Sequence, residues 1–333
     1  MSPFDFDADF APLTLGKAYR TAWPAELRVL GPAQAGDLAL ISGGDGCGKS
    51  WVAMTAALSV AKGRALLGGM WDVPAGAGGP ALYIAVEDRT RDHGARLQKI
   101  VREAMHLREI GAPPADDDAD LVVWPLHGKR MSLVTPTPNG PSRYGVTEAG
   151  ERFAQSVAGY RLVVIDPLRA FHDLDEGDGA GLDFLARWLV SVAMRNEQVI
   201  LAVHQASQGA ILAARDDHHA GRGATDFPAA CRAVWTLRGM TPDEADKAGI
   251  DQARRRAWRA LVNGKASHAD EAAVAHLEKT AEGVFVRKAL PATPSTPTRR
   301  GKARPDAGAA ASAAYRSAAM TTMGDEGNSR DVW

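Results

Sequence analysis

The sequence predicts an α/β fold with a central, largely parallel β-sheet flanked by helices, and two observations carry that prediction. Five near-continuous apolar runs recur along the chain: DLALIS at 37–42, ALYIAV at 81–86, LVVW at 121–124, RLVVID at 161–166 and VILAVH at 199–204. Segments with helical patterning separate them. Strands that stay apolar at successive positions are what a sheet covered on both faces requires. Three later runs, CRAVWTL at 231–237, AWRALV at 257–262 and GVFVRK at 283–288, are interrupted by polar and charged residues, and so read as added C-terminal edge strands or hairpins. The pattern divides the chain into an N-terminal arm over 1–30, a core over 31–290 and a tail over 291–333. Acidic, aromatic and proline residues mix without a period in the arm, and the tail is rich in Pro, Thr, Ser, Ala and Gly.

Composition narrows the classes of function. The 333 residues suffice for one large core domain, and the two cysteines, Cys47 and Cys231, argue against a disulfide scaffold or a four-cysteine zinc site. Lys and Arg total 39 against 40 Asp and Glu, so no protein-wide positive field gathers nucleic acid. The first residues are acidic where a secretory leader would be basic, and no run approaches the roughly 18 apolar residues of a membrane span. The expectation is a cytoplasmic protein without a membrane partner.

The strongest motif is Gly43-Gly44-Asp45-Gly46-Cys47-Gly48-Lys49-Ser50, which follows the run DLALIS and opens the helical run WVAMTAALSVAKG. It fits the phosphate-loop pattern. Glycines let backbone N–H groups wrap a phosphate, Lys49 adds a point charge, and Ser50 offers a hydroxyl to magnesium. ATP or a related triphosphate is the expected ligand. Asp166 ends the run RLVVID, where a strand-end carboxylate reaches the same crevice and organises Mg2+ together with Ser50. Glu87 and Asp88 end another run; Glu87 suits a general base that orients water, whereas Asp88 could instead cap the following helix. His204 ends VILAVH, from where it reaches a terminal phosphate or serves as a satisfied core-edge histidine.

Taken in order, GGDGCGKS, YIAVEDRTRDHGARL, RLVVIDPLRAFH, ILAVHQAS, GRGATDFPAACRAVW and VNGKASH resemble the plasmid RepA-like hexameric replicative helicases, a branch of the RecA-type P-loop ATPases. The resemblance covers about residues 30–270. It implies a RecA-like fold, Glu87 as catalytic base, Asp166 as the magnesium-associated acid and His204 as sensor. It also implies sites shared between the subunits of a homohexamer, with Arg232 as the finger reaching a neighbour's phosphate and Lys265 as a second basic residue there. Single-stranded DNA would thread the ring, and a primase or an origin-binding protein would be a further partner. The DNA loops implied follow the Asp166 and His204 strands. The second carries Arg215, His218, His219 and Arg222, but the first reads HDLDEGDG, whose acidity repels DNA. Tail residues Arg299, Arg300, Lys302 and Arg304 offer a non-specific DNA contact or a solubilising cluster. The expected activity is ATP-driven unwinding of DNA in plasmid or phage replication; a RecA-like recombination or loading ATPase and a nucleotide-gated scaffold are the alternatives.

Overall fold

Register places the chemistry in this molecule, because six parallel strands bring their C-terminal ends to one edge of the sheet. The computed structural model describes residues 14–22, 26–115, 117–137, 142–175, 177–205, 226–266 and 274–291. A first helix, α1 (Leu15–Arg20), precedes a short antiparallel pair, β1 (Arg28–Leu30) and β2 (Ala33–Gln34), whose Val29, Leu30 and Ala33 are fully buried. The main sheet then contains β3 (Leu38–Gly43), β4 (Ala81–Ala85), β5 (Leu121–Pro125), β8 (Leu162–Asp166), β9 (Val199–Gln205), β10 (Ala233–Gly239), β11 (Trp258–Ala266), β12 (Val274–Lys279) and β13 (Phe285–Arg287), in the spatial order β13-β12-β11-β10-β3-β9-β8-β4-β5. A separate ribbon pairs β6 (Val134–Pro136) with β7 (Tyr144–Val146).

All five apolar runs form strands, and the structure places them side by side in parallel. The run CRAVWTL behaves differently from its reading as an edge. It becomes β10, inside the sheet, parallel to β3 on one side and antiparallel to β11 on the other. Its polar positions are satisfied there: Thr236 lies 3.4 Å from the Ser42 hydroxyl, and Arg238 at the strand end pairs with Glu244. Polar residues therefore do not mark an edge when partners exist inside. Strands β11 to β13 form the antiparallel C-terminal extension, and β12, which reads VAHLEK, escapes the sequence reading because half its positions are polar or charged.

Both faces of the sheet are covered. Alternation sends Ala39, Ile41 and Tyr83 to one face, under α2 (Lys49–Ala61) and α3 (Thr90–His106). Leu38, Leu40, Leu82 and Ile84 go to the other, under α4 (Glu148–Ser156) and α5 (Gly179–Arg195). Residues Val52–Ala61 of α2 are buried all round, and its alanines let the helix sit close against the strands. Short helices α6 (Asp226–Ala230), α7 (Pro242–Lys247) and α8 (Gln252–Arg255) complete the chain, with α7 and α8 over a small third cluster built on Met240 and Trp258. Among the described residues no helix is long and apolar enough to cross a membrane.

Helix α7 opens with a capping box between Thr241 and Glu244, and Glu244 also receives both terminal nitrogens of Arg238, at 2.6 and 2.8 Å. The Arg238 guanidinium pulls the Glu244 carboxyl down to about 2 from an ordinary 4.5. A carboxyl depressed in the folded state stabilises the fold fully above its unfolded value. That contribution, on the order of 3 kcal/mol at most, is lost as pH falls from about 4.5 toward 2. Glu244→Gln is expected to lower stability at neutral pH and to flatten its loss between about pH 5 and pH 3, as read by urea denaturation across that range.

Candidate active site

The strand β3 ends at Gly43 and α2 starts at Lys49, so residues 43–48 wrap the N-terminus of a buried helix and point its free N–H groups into the crevice. Two glycines are required by geometry. Gly48 holds φ at +105°, and a Cβ there would lie 2.3 Å from the Phe285 ring; a Cβ on Gly43 would lie 2.4 Å from the Leu237 carbonyl oxygen. Lys49 Nζ donates to the Gly43 and Gly44 carbonyls, both at 2.9 Å, so its charge sits inside the loop's curve. Burial raises the Cys47 thiol, against the pull of Lys49 and Arg259, which leaves it a protonated filler of the loop.

On the same edge of the sheet, β9, β8 and β4 follow β3 in order and deliver His204, Asp166 and Glu87. Asp166 is buried, and the Tyr83 hydroxyl donates to it from β4. Burial pushes the Asp166 carboxyl up, while hydrogen bonds from Tyr83 and Ser50 and the charges of Arg96 and Lys49 oppose that rise. Glu87 is exposed at the strand end; burial of part of its surface, then Asp166 and Asp88, raise its carboxyl, and Lys49 lowers it. Asp88 does not cap α3. Arg89 occupies that position without a side-chain cap, and Asp88 pairs with Arg96 at 2.5 Å instead. His204 is half-buried opposite Ser42 of β3. Next to it lies buried His172, whose imidazole is held down to about 4 by burial and by the charges of Arg169 and His204.

Arg232 and Lys265 are brought together, but not to this crevice. The Arg232 amide donates to the Leu38 carbonyl at the start of β3, and Lys265 pairs in register with Val234. In register Arg232 is level with Leu38, at the N-terminal edge of the parallel strands, and Lys265 with Leu40, about 17 and 10 Å along the strands from Gly43 at about 3.3 Å per residue. Lys265 Nζ donates to the Pro228 and Ala229 carbonyls, and burial and the neighbouring Arg232 charge lower its ammonium. In the first candidate DNA loop, Asp178 caps α5 and accepts from Tyr144, while Asp173 lies 3.7 Å from Arg130. Arg215, His218, His219, Arg222 and the tail cluster Arg299, Arg300, Lys302 and Arg304 lie outside the described residues.

Three groups at this site escape a sequence reading. Tyr83 is the one hydroxyl inside the apolar run ALYIAV, and that polar intrusion is its sole signal. Arg259 on β11 donates from Nε to the Cys47 carbonyl at 3.0 Å and lies over Phe285, which itself packs on Gly48. Nothing in sequence joins residues more than 200 positions apart. Chemically, the set suits a magnesium nucleotide: main-chain donors and an ammonium for phosphate, and a hydroxyl and a carboxylate, both hard oxygen ligands, touching each other beside them. Gly48→Ala combines a forbidden φ with overlap on Phe285, and is expected to cost about 2–4 kcal/mol and most nucleotide affinity. Gly46→Ala, with φ +65° and open space around the Cβ, is expected to cost about 1 kcal/mol. Urea denaturation with a fluorescent ATP analogue separates the two.

The chain resembles a solved ATPase domain, with 12% identity over 77% of this chain and 86% of that one, at a TM-score of 0.49. It also resembles a DnaB-like replicative helicase described with its primase interactions, with 13% identity over 76% of this chain and a TM-score of 0.52. The match spans 57% of that helicase chain. The second likeness supports a RecA-like fold, with a parallel core and helices on both faces. The AAA domain family model matches residues 19–210, more than half of the sequence and all four strands that deliver the crevice. With its phosphate loop, Ser50–Asp166 pair and strand-end Glu87 in place, the chain belongs to the AAA domain family and carries a RecA-like P-loop ATPase domain.

Proposed function

We propose that the protein is an ATP-driven motor on single-stranded DNA that works as a homohexameric ring, of the RepA-like kind, in plasmid or phage replication. One observation carries this reading: the loop and carboxylates lie at one edge of the sheet, and Arg232 at the other, with Lys265 near it and turned to the Pro228 and Ala229 carbonyls. A single subunit cannot bring the two sets together, whereas a head-to-tail ring aligns the far edge of one subunit with the loop of the next. The DnaB-like neighbour, a replicative helicase described with primase, supports the same direction and suggests a primase as a partner.

In this reading the loop N–H groups and Lys49 bind the phosphates of ATP. Ser50 and Asp166 hold Mg2+, which supplies charge neutralisation to the phosphates when bound. Glu87 orients water for in-line attack, and its raised carboxyl brings it closer to the affinity a general base needs. Arg232 and Lys265 of the neighbouring subunit stabilise charge on the transferring phosphoryl group. His204 senses the terminal phosphate, and its neighbour His172, whose carbonyl accepts from Arg130 and Arg169, starts the first channel loop. These two guanidiniums, with Asp173 and Asp178 held by internal partners, reduce the effective acidity that HDLDEGDG presents to a DNA backbone.

The acidity that remains, at Asp175 above all, favours a second reading in which a partner protein rather than DNA regulates turnover, as in a loading ATPase. ATP turnover with and without single-stranded DNA, with mass by light scattering, separates them. A six-subunit mass with DNA-stimulated turnover is expected; a monomer or dimer with DNA-insensitive turnover would overturn the ring. Lys49→Ala is expected to lose nucleotide binding, and Glu87→Gln to bind ATP while turning over about 100-fold more slowly or worse. Mixing inactive Lys49→Ala with inactive Arg232→Ala should restore part of the turnover, because hybrid interfaces then contain one intact site. No recovery would place Arg232 outside the neighbour's site.

A further inference from the structure

We infer that Arg96 is a positioning residue for Glu87, tying the strand end that carries this carboxylate to the helix that carries Lys49 and Ser50. The inference rests on the reading of Glu87 as general base. Among the described residues the Glu87 carboxylate makes no ion pair, so its aim is set by its backbone. That backbone is held on two sides. The Glu87 carbonyl lies 2.9 Å from His127 Nδ1, and the next residue, Asp88, is gripped by Arg96 Nη2 at 2.5 Å. From the same position the Arg96 guanidinium lies 5.4 Å over the Trp51 ring, one residue after Ser50 on α2. A single planar cation thus bridges α2, α3 and the end of β4.

Folding alone does not favour this arrangement. The Arg96 side chain is only 14% exposed, and its Nε and Nη1 are buried without a hydrogen-bond partner. A guanidinium left with two unpaired nitrogens is a poor contributor to stability apart from its charge near the buried Asp166, which opposes the rise of that carboxyl. Asp88, at 39% exposure, can return to water when its partner is removed. What the arginine supplies is geometry: the ion pair fixes one side of the Glu87 peptide, and the stacking fixes its distance from the phosphate loop.

The test measures ATP turnover on the full chain with single-stranded DNA present, affinity for a non-hydrolysable ATP analogue, and Tm, for Arg96→Met, Asp88→Asn, the double variant and Arg96→Lys. A misaimed base is expected to lower kcat by about 10- to 100-fold. Asp88→Asn, which leaves the Arg96 charge near Asp166, should keep analogue affinity within about twofold and an unchanged Tm, whereas Arg96→Met also withdraws that charge and should lower Tm modestly along with kcat. Asp88→Asn should reproduce the loss, the double variant should add little, and Arg96→Lys should regain part of it. Should Arg96→Met fail to fold, the half-exposed Asp88→Asn decides the question by the same kcat loss at constant affinity. A wild type that hydrolyses ATP, with both single variants retaining kcat, overturns this inference alone. So does a fall in Tm for Arg96→Met with the kcat of Asp88→Asn unaffected, which would mark a structural role. A wild type without turnover overturns the underlying reading and the inference together.

Discussion

The Asp166 carboxylate is the constraint around which the molecule is arranged. It sits 7% exposed at the end of a strand buried at every position, where an isolated charge would be untenable. Its tolerance depends on Tyr83 from β4, Ser50 from the first turn of α2, and the fields of Lys49 and Arg96. They come from three elements, β4, α2 and α3, so the register Ala85↔Asp166, the depth of α2 against the sheet and the start of that helix at Lys49 must be right together. Tyr83 is itself the measure of this dependence: its hydroxyl is pushed well above its ordinary value by burial and by the adjacent Asp166, which keeps it a donor.

A second consequence of the parallel topology is polarity. All C-terminal strand ends in the parallel half meet at one edge, Arg232 just before parallel β10 lies at the other, and antiparallel β11 returns Lys265 to its side. The same β11 passes its other end, with Arg259, beneath the phosphate loop. One strand therefore connects the loop of its own subunit to the cations proposed to act on the next. In a ring this gives a short mechanical route between consecutive sites, through a strand whose hydrogen bonds on both sides resist sliding.

Much of the candidate site was legible in the residues themselves. Glycine spacing before Lys49-Ser50, and the carboxylates Asp166 and Glu87 ending apolar runs, are local signals, because phosphate binding needs a particular backbone and strand ends are read from the chain in order. Asp88 shows the limit. As a polar residue before a helix it reads as a cap, yet its partner lies two turns into α3, and the choice between an amide and a guanidinium is made by where α3 docks. The strand β10 shows another. Its Thr236 and Arg238 argue for an edge until Ser42 and Glu244 are seen to satisfy them.

What the sequence determined by itself was the α/β class, the five parallel core strands and the phosphate loop, since each depends on the pattern of a dozen or fewer consecutive residues. What only the tertiary structure decided was the interior place of β10, the unforeseen strand β12, and the closure of Arg259 and Phe285 over the loop. It also decided the tyrosine that sustains a buried carboxylate and the opposite placement of the two sets of charges. These depend on contacts between segments up to more than 200 residues apart, and a linear pattern holds no record of which distant partner will satisfy a polar group when the chain is packed.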